Sequence, residues 1–164
     1  MATRRIDVER FSVTSRKPFQ EVLAALHAAV SHPDMAAFPT SVSTAKTLTE
    51  LENVIHAAIG PSGLMEFFRL DHGEIVHKGE PGEMPGMMRL VVGNPLIMRQ
   101  MAQYVPDAGS YAPVTILIDE RPDGVHLSYD RMASFLAPYG NAEALKVARD
   151  LDAKVEALLA AAAG

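Results

Sequence analysis

Residues 112–130 read APVTILIDERPDGVHLSYD. The segment APVTILIDE has the composition of a strand. Arg121 to Gly124, RPDG, supplies the proline and Asp-Gly chemistry of a tight turn, and VHLSYD returns as the partner strand. Tyr129 alternates with Leu127 and Val125, so its ring shares their inward face. A phenol placed there needs a partner or a ligand for its hydroxyl. A β-hairpin is therefore fixed near the C-terminal third of the chain, and the remaining segments must pair with it or pack on it.

Upstream, NPLIMRQMAQYV has Asn94 as helix cap and Pro95 at the first helical position. MMRLVVG is a short apolar strand, and LMEFFRLD is another, with Gly63 before it. Between them HGEIVHKGEPGEMPG reads as a connection rich in Gly and Pro. RIDVERFSVT, residues 5–14, predicts a first strand with a bulge near Glu9 and Arg10. KPFQEVLAALHAAVSH starts a helix at Pro18, with Phe19, Val22, Leu23, Leu26 and Val30 at helical spacing and His27 at the flank. PDMAAFPTSVSTAKT reads as a loop. TLTELENVIHAAIG predicts a helix with Thr49 and Glu52 as a capping box and Gly60 as its stop. Its apolar face would carry Leu48, Leu51, Ile55 and Ala58. NAEALKVARDLDAKVEALLAAAA is the last helix, its alanine tail a fraying end. The sum is an α+β domain with a mainly antiparallel sheet of about five strands and helices on one face.

The chain has 164 residues, a size for a single domain, 1–164. Its net charge is −5, and its arginines and lysines are scattered among acids, which argues against a nucleic-acid surface. There is no cysteine, so disulfides, thiolate metal sites and cysteine nucleophiles are excluded. No apolar stretch follows the charged start, and no window approaches the roughly 18 apolar residues of a membrane span. The expectation is a soluble cytoplasmic protein. No GxSxG, SxxK or P-loop pattern occurs.

One polar stretch stands out, FFRLDHGEIVHK, residues 67–78. It carries His72 and His77 with Asp71 and Glu74. A five-residue separation puts the two histidines on opposite faces of a strand. On a helix it leaves them roughly 140° apart. No regular element lets both bind one metal, and the zincin spacing is not met. His77 is expected in solvent. His72, at the end of a strand where the chain turns, is placed to face a ligand at the sheet rim. Met84, Met87 and Met88 lie just beyond, and Met98 and Met101 follow at helical spacing. They serve the core or line an adaptable apolar pocket.

RLVVGNPLIM, followed by YAPVTILIDERPDGVHLSYDRMASFLA and preceded by LDHGEIVHKG, resembles the bacterial domain-of-unknown-function family 302. The resemblance runs from Phe67 to Leu136, and loosely over the first strand and helix. It departs where Ala112 stands before Pro113 in place of leucine, and where 33–62 reads as an inserted loop and helix. The resemblance implies a curved sheet with a TATA-binding-protein-like fold and a homodimer. It implies no nucleic-acid binding and transfers no activity, because fold does not carry function. It adds weight to His72 and Tyr129, which fall on motif positions.

The leading expectation is a small-molecule-binding module whose pocket involves His72, Tyr129, Asp71 and Met88. Next comes a haem or copper protein with His72 as ligand, assisted by a methionine or Tyr129. Last is an acid–base enzyme using His72, oriented by Asp71 if the strand has ended there.

Overall fold

The alternation of β4 (Val114–Arg121) and β5 (Gly124–Asp130) generates the core face of the sheet. In the computed structural model, which describes residues 3–82 and 84–164, they pair antiparallel with Ile116 opposite Tyr129 and Ile118 opposite Leu127. β3 (Met87–Gly93) joins the other edge of β4, setting Leu90 against Ile116 and Met88 against Ile118. β1 (Arg10–Ser15) and β2 (Met65–Asp71) complete an open antiparallel sheet of order β1-β5-β4-β3-β2. Because side chains alternate, one face collects Met88, Leu90, Val92, Ile116, Ile118, Val125, Leu127 and Tyr129, all buried.

Helices cover that face. α1 (Phe19–Ala29) buries Phe19, Val22, Leu23 and Leu26, the stripe expected from their spacing. α5 (Pro95–Ala102) begins at Asn94, whose Oδ1 accepts from the Leu96 N–H at 2.9 Å, and buries Met101. α7 (Ala142–Ala163) is capped by Asn141 and lays Ala144, Ala148, Leu151, Val155, Leu158, Leu159 and Ala162 on the sheet. Each such leucine or valine, fully buried, is worth about 1.5–3 kcal/mol. α3 (Leu48–Ala58) is held mainly by Ile55, 1 % exposed. The shorter helices are α2 (Phe38–Thr44), α4 (Gly73–Val76) and α6 (Met132–Leu136). No helix among the described residues is long and apolar enough to cross a membrane.

Several expectations change on contact with the fold. β1 begins at Arg10, and the bulge expected beside it is not there. Arg10 pairs with Asp130, the last residue of β5, so Ile6 and Val8 have no ladder partner, and Val8 is 44 % exposed. The bulge lies instead in β2, between Glu66 and Phe68. The capping box of α3 is Thr47 with Glu50, two residues earlier than expected; TLTE and TELE both fit the pattern, and Thr47 has the extended backbone a cap requires. The alanine tail is not a frayed end. Ala162 is buried, and the Ala163 carbonyl accepts from Ser15 Oγ at 2.7 Å, which ties the end of α7 to the edge strand.

Candidate functional site

Tyr129 occupies the inward position its alternation required, and it is 1 % exposed. Its hydroxyl donates to Asp152 Oδ1 at 2.7 Å. The same oxygen accepts from the Met132 N–H at 2.7 Å, and Oδ2 accepts from the Ala133 N–H at 3.0 Å. Asp152 thus ties α7 to β5 and satisfies the first amides of α6. Burial pushes the Tyr129 phenol above its ordinary range, and the Asp152 charge adds to that, so Tyr129 remains a hydrogen-bond donor. Burial also raises the Asp152 carboxyl, although its three donors oppose the shift. The sequence reading missed Asp152. The available signal was an acid in register with Ala148, Val155 and Leu159 on the apolar stripe of α7.

Asp71 is the last residue of β2, opposite Met88. Its Oδ1 accepts from the Glu74 N–H at 3.1 Å and so stabilises the turn into α4. His72 follows it, its own N–H bonded to the Met87 carbonyl at 2.9 Å. Its side chain is half-buried and, among the described residues, makes no hydrogen bond. Met88 is 9 % exposed and packs in the core. The structure does not bring His72 and Tyr129 together. Tyr129 lies on β5 and His72 beyond the end of β2, with β4 and β3 between. Three strand spacings alone separate them by about 14 Å.

A cleft of about 650 Å³ opens at the rim beside Asp71, walled by Phe19, Glu74, His77, Met84 and Glu120. His77, expected in solvent, borders it with a side chain 18 % exposed and pairs with Glu80 at 3.1 Å. His72 does not line this cleft. Among the described residues no group of three or more His, Asp or Glu side chains is arranged to hold a metal ion.

A second cavity differs in kind. It measures about 250 Å³ and lies between α2, α5 and the bulge of β2. Phe38 and Val42 of α2 form one wall, and Ile97, Met98 and Met101 of α5 another. The β2 ladder passes from Glu66 to Phe68, so Phe67 is the extra residue of the bulge. Its ring lines the cavity and meets Phe38 edge-on, with centroids 6.5 Å apart. Asn94 contributes the one polar side chain of the lining. Both ends of its amide are occupied, Nδ2 donating to the Gly63 carbonyl at 3.0 Å and Oδ1 accepting from the Leu96 N–H at 2.9 Å.

The family model described as "Domain of unknown function DUF302" matches residues 39–162. The chain belongs to the DUF302 family. The match begins within α2, so it takes in most of the 33–62 stretch that reads as inserted. A DUF302 structure, that of an uncharacterized conserved protein from Bacillus stearothermophilus, superposes with a TM-score of 0.64 at 11 % identity, over 93 % of this chain and 97 % of that one. At that identity the likeness shows the fold alone. No curated protein matches the chain.

Proposed function

We propose that this DUF302 chain is a small-molecule-binding module that takes its ligand in the cavity between α2, α5 and the bulge of β2. The observation that carries this reading is the lining: its side chains are apolar, save for one asparagine whose hydrogen bonds are already made within the fold. Ligand pockets are concave and largely apolar, and methionine adapts its shape to varied occupants. Met98 and Met101, adjacent on α5, supply that adaptability here. The expected set of His72, Tyr129, Asp71 and Met88 contributes less. Tyr129 is engaged by Asp152, Met88 packs in the core, and Asp71 borders the separate rim cleft.

The test is a titration of the protein, labelled at its methionine methyls, with n-propylbenzene. Binding in the cavity moves the Met98 and Met101 signals and leaves Met132, buried elsewhere, in place. If the Met98 and Met101 signals stay fixed up to the solubility limit of the probe, the reading is wrong.

A further inference from the structure

We infer that α2 is a lid over this cavity, and that the molecule it admits is uncharged and hydrocarbon-like, with about ten non-hydrogen atoms. The inference rests on the pocket reading above and adds how the site opens and what it accepts.

The lid follows from where the hydrogen bonds of residues 33–45 go. Both flanks are fastened. Ser31 is bonded to β2 through the Glu66 N–H at 2.9 Å, and Thr47 closes the capping box of α3, which Ile55 anchors in the interior. Between these points the bonds are internal: Phe38 N–H to the Asp34 carbonyl, Ser41 N–H to the Ala37 carbonyl, and the Ser43 and Thr44 hydroxyls to the Thr40 carbonyl. Among the described residues, none runs from this segment to the body of the protein. No residue of α2 is buried. Lifting the segment therefore breaks no hydrogen bond to the body among the described residues and gives up the packing of half-buried side chains, Phe38 and Val42 over the cavity with Met35 and Ala45, and the contact of α2 with α3. Segments with few buried apolar contacts open at low free-energy cost. A helix of this length is also marginal without tertiary support, so an occupant beneath it would add order.

The ligand class follows from volume and polarity. An engineered cavity of about 150 Å³ in another protein holds benzene, so a cavity of about 250 Å³ matches about ten non-hydrogen atoms. With the Asn94 amide engaged, a charged group would lose its hydration and gain nothing.

Amide hydrogen exchange across Ala36–Thr44, measured with and without n-propylbenzene, tests the lid, while the Met98 and Met101 methyl signals report occupancy in the same sample. The expected result is at least tenfold slower exchange in the segment at saturation. Shifted methionine signals with unchanged exchange would overturn the lid and leave the pocket reading standing. Unmoved methionine signals would remove both. Phe38→Ala, at a half-buried lid position, should weaken binding at least tenfold with the fold intact; unchanged affinity counts against the lid. Equal affinity for 3-phenylpropanoate, a charged probe of similar size, would overturn the ligand class.

Discussion

Replacing Asp152 by alanine should be among the most damaging single changes in this protein. Asp152 is 6 % exposed, and its carboxylate receives three donors: the Tyr129 hydroxyl and the Met132 and Ala133 amides. Removing it strands them where water has poor access. A buried donor left without a partner costs about 1–3 kcal/mol. The Met132 amide retains a contact to Tyr129 Oη at 3.2 Å, which offsets part of the loss. The sum for Asp152→Ala is about 3–5 kcal/mol, a large share of the roughly 5–15 kcal/mol typical of a folded domain. Tyr129→Phe removes one donor and should cost about 1–2 kcal/mol. The assay is urea unfolding followed by circular dichroism, reading the midpoint at constant slope. A loss below about 1 kcal/mol for Asp152→Ala would refute the reasoning. The pH dependence adds a second reading. Burial holds this carboxyl above its ordinary range, so the folded state binds the proton more tightly than the unfolded chain. That contribution is fully present below about pH 3.9, the ordinary carboxylate value, and is lost as pH rises through the raised folded value. Asp152→Asn removes the titration. The stability of the wild type relative to Asp152→Asn should therefore increase as the pH is lowered from neutral through the folded value.

Other perturbations separate packing from surface effects. Gly86→Ala would drive a Cβ into the Phe19 ring, which is buried against the sheet, and should cost about 1–3 kcal/mol in a urea melt. Thr47→Ala removes the cap of α3 and should cost about 1 kcal/mol; an unchanged midpoint would mean that α3 starts elsewhere. Arg10→Ala breaks a two-point pairing with Asp130, at 2.6 and 2.9 Å, on the exposed end of β1. Because the pair is solvated, its loss should cost no more than about 1 kcal/mol and should shrink further in salt.

Much of the fold was legible in order along the chain, because local chemistry decides local structure. Asn94-Pro95 starts α5, the Pro122-Asp123 turn closes the β4–β5 hairpin, and the alternation of Val125, Leu127 and Tyr129 fixes which way β5 faces. The spacing of Ala148, Leu151, Val155 and Leu159 fixes the buried face of α7. The sequence also required a partner for the Tyr129 hydroxyl. What it left open were the questions of distance. Alternation states which face a side chain takes but not which strand lies beside it, so only the order β1-β5-β4-β3-β2 revealed that His72 and Tyr129 lie far apart. The start of β1 depended on where its partner ended, at Asp130. Asp152 became the partner of Tyr129 only when α7 lay across β5, and the apolar cavity exists only because Phe38, Phe67 and Met98, far apart in sequence, converge on it. Propensities and caps act over a few residues and can be read directly. Packing joins residues across the whole chain, and only the tertiary structure decides it.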